Sequence, residues 1–182
     1  MNIQSQYLLN DNTVLPVMGF GTNVLHGRPG IQSIKTALKA GYRLIDTAQS
    51  YENEEEVGTA LKESELPRKA VFITTKVTDE NQGYQQTLDS VEVSLEKLKI
   101  EYVDLVLVHW PNIEDFDRSI ATYKALIDLR EQGKVRTIGV SNYTPDLIQK
   151  TIDATHVVPA VNQVEFHPFL FQQELLAYCK ER

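Results

Sequence analysis

Apolar, β-branched runs return along this chain at a nearly constant interval. They begin at residues 43, 71, 103, 135 and 160, so that successive starts lie 28, 32, 32 and 25 residues apart. The runs are continuously apolar rather than alternating, the pattern of strands covered on both faces, as in a parallel sheet. Between them the spacing is helical: Leu88, Val91, Leu95 and Leu98 step by three and four, as do Ile34, Ala37 and Leu38. Gly41 and Gly133 stand where a left-handed residue would end a helix. Thr144-Pro145 reads as an N-cap with proline at the first helical position. Asn53-Glu54-Glu55-Glu56 reads as a solvated first turn, where acidic groups suit the helix dipole.

A strand and a helix in about 30 residues make the βα repeat. With an earlier strand at 17–21 and a last helix at 172–180, the count is six units. Ahead of them, 7–9 and 13–15 flank Asn10-Asp11-Asn12 as a small hairpin. No linker or low-complexity stretch divides the chain, so residues 1–182 are expected to form one domain. A doubly wound nucleotide-binding sheet would carry a glycine fingerprint after its first strand. Here Gly19-Phe20-Gly21 continues as Thr22-Asn23-Val24 without the third glycine, and no Gly-Lys-Ser/Thr phosphate loop is present. The expected fold is therefore α/β, a (β/α)8 barrel. Barrels of this type usually need about 250 residues, so this sequence is expected to supply the first six units and to stop two units short.

Composition narrows the function. Eighteen Lys+Arg against twenty-five Asp+Glu give a net charge of −7, which argues against nucleic acid and anionic membranes as partners. No apolar run approaches the ~20 residues that span a bilayer, and residues 1–6 lack the features of a signal peptide. The single cysteine, Cys179, fits a reducing compartment, so a cytoplasmic protein is expected. The histidines at 26, 109, 156 and 167, with one distant cysteine, form no zinc pattern, and no metal site is expected. Glu165 and His167 share a strand face with Gln163 without a metal pattern around them, and Asp104 and Arg43 read as strand-end pairing.

Polar residues stand where the strands end. Asp46 closes the second run, Lys76 the third and His109 the fourth; Ser141-Asn142 follows the fifth, and Gln163 lies on the sixth. In a βα barrel those ends form one face, which carries the active site. Singly, each has a structural explanation: a helix cap for Asp46, a snorkelling Lys76, a hydrogen-bonded His109, turn residues at 141–142. Together on one rim they point to chemistry. Tyr51, five residues past Asp46, can return to the same rim. A free phenol is a poor acid at neutral pH, and a neighbouring ammonium would stabilise its conjugate base. Asp46 could orient Lys76, and neutral His109 could donate to a carbonyl oxygen. That set delivers a proton to an oxygen gaining charge, as carbonyl reduction requires, while the hydride must come from a cofactor.

Gly41-Tyr42-Arg43-Leu44-Ile45-Asp46-Thr47-Ala48, followed by Tyr51, Glu54 and Val57-Gly58, resembles the first signature of the aldo-keto reductases. Arg136-Thr137-Ile138-Gly139-Val140-Ser141-Asn142-Tyr143 resembles a second. Gly19-Phe20-Gly21-Thr22 and His109-Trp110-Pro111 stand in the order that family uses. The prokaryotic reductases of keto sugars (diketogluconate reductases) and small aldehydes are the nearest in kind, with a C-terminal quarter to third of their length not in this sequence. The resemblance implies an NADPH-dependent barrel enzyme reducing aldehydes or ketones. Its catalytic tetrad would be Asp46, Tyr51, Lys76 and His109, with Tyr51 the proton donor. Ser141, Asn142 and Gln163 would hold the nicotinamide carboxamide, Gly21 and Thr22 would lie against the cofactor, and Trp110 would line the substrate pocket.

Asn23 and Thr78 stand where the family often has aromatic residues, which implies a polar or small substrate. Two further readings remain at this level. One is a binding or regulatory module lacking most of the cofactor grip, because the family binds pyrophosphate and 2′-phosphate through the last two units. The other is a lyase or isomerase using Lys76 as a Schiff base, which Asp46 disfavours by holding the lysine charged. The first and last strands are expected to leave open edges, through which the chain could self-associate.

Overall fold

The computed structural model describes residues 2–182. Strands β1 (Gln6–Leu8) and β2 (Val14–Pro16) form the antiparallel hairpin. Strands β3 (Gly19–Gly21), β4 (Leu44–Asp46), β5 (Phe72–Val77), β6 (Val103–Val108), β7 (Val135–Ser141) and β8 (Asn162–Gln163) then make one parallel sheet in sequence order. Six helices follow them: α1 (Gly27–Lys39), α2 (Glu54–Glu63), α3 (Tyr84–Leu98), α4 (Phe116–Glu131), α5 (Pro145–Thr155) and α6 (Gln173–Lys180). The six units and the hairpin therefore stand where the periodicity places them. The caps do too: Gly41 and Gly133 have φ of +105° and +76°, and the Thr144 side chain accepts from the Leu147 amide.

The sheet is curled, with a core on each face. Ile45, Ile73, Val106, Ile138 and Val140 pack outward against Ile34, Val57, Val91, Leu98, Tyr123 and Leu126 of the helices. Phe72, Leu105 and Leu107 point inward, where Leu15, Leu44 and Val161 meet them. Leu15 belongs to the hairpin, which thus plugs the concave side at the end where the strands begin. Its turn is held by a hydrogen bond from Thr137 to Asp11. That plug leaves the opposite end, where the strands finish, open. Among the described residues β3 and β8 are the sheet's unpaired edges.

Two expectations fail. The segment 53–56 is not a solvated turn: Asn53 and Glu54 are fully enclosed, and Glu55 alone of the three acids is well exposed. The chain crosses over the end of β4 there, and the first two side chains are needed inside to satisfy buried polar groups. Asp104 does not pair with Arg43. It accepts from Arg68 at 2.6 Å and from Arg136 at 3.4 Å, while Arg43 donates to the Leu38 and Tyr42 carbonyls at the end of α1. No helix among the described residues is long and apolar enough to cross a membrane.

Candidate active site

The parallel register carries the polar residues to one rim. Gly21 on β3 lies opposite Asp46, Asp46 opposite Thr74, Lys76 opposite Leu107, and Ser141 opposite Gln163. His109 follows directly on β6, its amide bonded to the Val77 carbonyl at 3.1 Å. Tyr51 closes a 3-10 turn, Gln49–Tyr51, between β4 and α2.

Lys76 is almost wholly enclosed, with 1% of its side chain exposed, and is ion-paired to Asp46. Its Nζ also donates to the Thr47 carbonyl at 2.8 Å. The second Asp46 oxygen accepts from Gln163 Nε2 at 2.8 Å, a bond that reaches from β4 across the concavity to β8. The Lys76 ammonium stands 5.0 Å from the centre of the Tyr51 ring. That ring meets the His109 ring edge-on, with centroids 5.8 Å apart and planes at 78°. These are a cation over a ring and an edge-to-face pair, so neither ties up the phenol hydroxyl. Burial, aided by the Lys76 cation, pushes the His109 imidazole below its ordinary pKa, with Asp79 and Asp46 opposing weakly. The ring is therefore neutral at pH 7. Four groups from four stretches of backbone converge as the sequence implies.

A cavity of about 530 Å³ opens over them, lined by Gly21, Asp46, Tyr51, His109, Asn142 and Gln163 among others. Gly21 leaves its wall bare: a Cβ there would meet no atom within 4 Å. Asn142 has φ of +63°, and its Nδ2 donates to the His109 carbonyl at 3.0 Å and to Ser141 Oγ at 3.1 Å. Ser141 Oγ in turn donates to the Gln163 carbonyl at 2.8 Å. Two expected residues lie off the cavity. Thr22 has no exposed surface, and its hydroxyl donates to the Asp46 carbonyl at 3.1 Å, so it supports the rim from beneath. Trp110 is half exposed and does not line the cavity.

The structure adds four residues that the sequence left out. Asn53 Nδ2 donates to the Thr22 carbonyl at 2.6 Å and the Leu25 carbonyl at 3.1 Å, and its Oδ1 accepts from Thr47 at 2.8 Å. One amide thus joins the loops after β3 and β4. Gln49 donates to Ser94 at 3.1 Å and accepts from the Thr78 amide at 3.2 Å and from Asn81 at 3.0 Å. It ties the turn carrying Tyr51 to the strand end carrying Lys76. Glu54 accepts from Thr75, beside Lys76, at 2.6 Å, and burial raises its carboxyl pKa against the opposing hydrogen bonds. Ser50 Oγ lies 3.3 Å from His109 Nδ1. Polar residues packed on both sides of Tyr51 were the available signal.

A model of the Aldo/keto reductase family matches residues 17–182. Glyoxal reductase from Bacillus subtilis is 45% identical over 173 residues, covering 94% of this chain and 62% of that protein. The 2,5-diketo-D-gluconic acid reductase B of a Corynebacterium species is 42% identical over 173 residues, 95% of this chain and 62% of that protein. Among solved structures, an aldo/keto reductase from Brucella melitensis matches with a TM-score of 0.94 and 40% identity, over 97% of this chain and 69% of that one. A Bombyx mori aldo-keto reductase in complex with NADP matches with a TM-score of 0.90 and 30% identity, over all of this chain and 64% of that one. The chain spans about three fifths of the length of the curated relatives it matches.

Proposed function

The chain belongs to the aldo/keto reductase family, and from that premise we propose that it carries the catalytic centre of an NADPH-dependent carbonyl reductase in which Tyr51 is the proton donor. The observation that carries the reading is the buried Lys76–Asp46 pair standing under the Tyr51 ring with neutral His109 at its edge.

The cavity suits a nicotinamide. Bare strand at Gly21 gives a flat ring a wall to lie on. Asn142 spends both side-chain N–H groups on the protein and Gln163 one of its two, and both amide oxygens are left as acceptors for a carboxamide. Gly21, Ser141, Asn142 and Gln163 are thus the proposed holders, with Thr22 behind them. The cofactor would supply the hydride.

The chain's own groups handle the proton. Tyr51 and His109 together hold the carbonyl oxygen, and Tyr51 releases its proton as charge develops there. The Lys76 ammonium stabilises the phenolate left behind, and Asp46 keeps that ammonium in place. Asp46 itself is kept from the substrate by its bonds to Lys76 and Gln163. The polar lining, with Trp110 outside it, suits small or polar carbonyl compounds, the kind named in glyoxal reductase and 2,5-diketo-D-gluconic acid reductase B. A reducing, cytoplasmic setting and one domain over 1–182 belong to the same reading. So does self-association through the β3 and β8 edges, which a monomer in sedimentation equilibrium would remove.

The test is NADPH consumption with glyoxal or a small α-diketone, alongside fluorescence titration of NADPH. Tyr51→Phe should cut kcat by about 10²–10⁴-fold, the usual worth of a positioned acid, and leave NADPH affinity unchanged. Unchanged turnover rejects the mechanism. Tight NADPH binding with no turnover by the unaltered protein favours a binding module instead.

A further inference from the structure

His109 is held at three points, one on its backbone and two on its ring. Its backbone carbonyl accepts from Asn142 Nδ2 at 3.0 Å. Its edge meets the Tyr51 ring at 5.8 Å between centroids. Its Nδ1 faces Ser50 Oγ at 3.3 Å. Ser50 is not loosely placed, because it lies in the 3-10 turn whose first residue, Gln49, is anchored by three side-chain hydrogen bonds. With Nδ1 engaged, Nε2 is the nitrogen left for a ligand in the cavity that His109 lines.

A neutral imidazole carries one proton, and the partner of one nitrogen decides which nitrogen holds it. A serine hydroxyl can donate or accept, so the contact alone permits either tautomer. The proton requirement breaks the tie: a carbonyl oxygen accepts only, so the nitrogen facing it must be N–H. We propose that Ser50 is a positioning residue whose hydroxyl donates to His109 Nδ1 and holds the ring as the Nε2–H tautomer, ready to donate to the substrate oxygen. The inference rests on the carbonyl-reductase reading for its purpose, and on the turn geometry for its substance. Ser50 acts through His109 and needs no contact with the reacting atoms.

The decisive measurement is ¹⁵N NMR of the histidine-labelled protein above the titration of its imidazoles, with His109→Gln assigning the signal among the four histidines. The expected spectrum has a pyridine-type Nδ1 and a pyrrole-type Nε2 at His109. Ser50→Ala should move both signals toward the averaged values of a tautomer mixture, and Ser50→Thr, which keeps the hydroxyl, should restore them. In turnover, Ser50→Ala should lower kcat/KM about fivefold, in line with one neutral hydrogen bond, with NADPH affinity unchanged. An Nδ1–H ring in the unaltered protein overturns the proposal, and so does a tautomer ratio that Ser50→Ala leaves as it was. The spectrum answers this whether or not the protein turns over. A failed reductase assay with the expected spectrum therefore counts against the function alone, while normal turnover with an unmoved spectrum counts against Ser50 alone.

Discussion

Replacing Asp46 by alanine leaves the Lys76 ammonium enclosed with one remaining acceptor, the Thr47 carbonyl at 2.8 Å. The lysine side chain is 1% exposed and the aspartate 16%, so water can reach the site only from the aspartate side. Removing one member of a buried pair costs about 3–5 kcal/mol, and that partial access places the loss at about 3–4 kcal/mol. Gln163 also loses its acceptor, but its half-buried amide can turn to water, so it adds little. For a chain of this size each kcal/mol is about 2–4 °C in Tm, giving a fall of roughly 6–16 °C. Lys76→Met removes the buried charge itself and leaves a carboxylate that still accepts from Gln163, so it should cost only about 1–2 kcal/mol. The double variant should be more stable than Asp46→Ala alone, because the orphaned charge has gone. Urea denaturation at pH 7 followed by circular dichroism measures all three. The reasoning is refuted if Asp46→Ala lies within about 1 kcal/mol of the parent at an unchanged m-value, or if the double variant loses the sum of the single losses.

Three other substitutions separate support from chemistry. At Gly139 a Cβ would lie 2.4 Å from the Val161 carbonyl oxygen and 2.8 Å from Leu107 Cδ2; since the oxygen is backbone, Gly139→Ala should cost about 2–3 kcal/mol or more by overpacking. Gly21→Ala, with nothing within 4 Å, should unfold at nearly the parent temperature and yet weaken NADPH binding several-fold, as read by fluorescence titration. Asn53→Ala strips a buried donor from two carbonyls and an acceptor from Thr47, and should lower stability by about 2–4 kcal/mol in the same urea assay. Glu54 gives a pH signature: burial raises its folded pKa above the ordinary 4.5. Below 4.5 both folded and unfolded chains hold the proton and nothing is lost; as pH climbs through the raised folded value the unfolded chain is favoured, and the loss persists at neutral pH. Glu54→Gln, which keeps an acceptor for Thr75, should flatten that slope and be the more stable protein at pH 7; a parallel pair of stability curves would contradict it.

What could be read from the chain followed from local rules. The middle strands read as largely apolar runs because helices cover one face and Leu15 of the hairpin meets the other, and the βα spacing therefore survives as a plain period. Lys76, one residue before the end of β5, and His109, one after the end of β6, were found because polar residues at the finish of parallel strands reach one rim whatever the curvature. Thr22 and Trp110 were misplaced for the opposite reason. Thr22 sits one residue past the end of β3 and Trp110 two past the end of β6, in turns where a single backbone rotation decides whether a side chain joins the cavity lining. The acidic run at 53–56 misled because charge and a helix start were both present, and only the packing of the β4 loop over Thr75 shows that Asn53 and Glu54 turn inward.

The bond between Gln163 and Asp46 lies beyond any local rule. The two residues are 117 apart in sequence, on β4 and β8, with three strands between them. In a flat sheet with strands about 4.8 Å apart, four strand steps would hold them roughly 19 Å from each other. A 2.8 Å hydrogen bond closes that gap only because the sheet curls until its inward faces meet. The same curvature brings Tyr51 and His109 to 5.8 Å although their strands, β4 and β6, are not neighbours. Asp46 accepts from both directions, from Lys76 one strand away and from Gln163 four strands away. It therefore reports whether the curl is in place: a Gln163→Leu variant that flattened the sheet would loosen Lys76 and Tyr51 together, whereas one that only lost a hydrogen bond would leave their spacing intact.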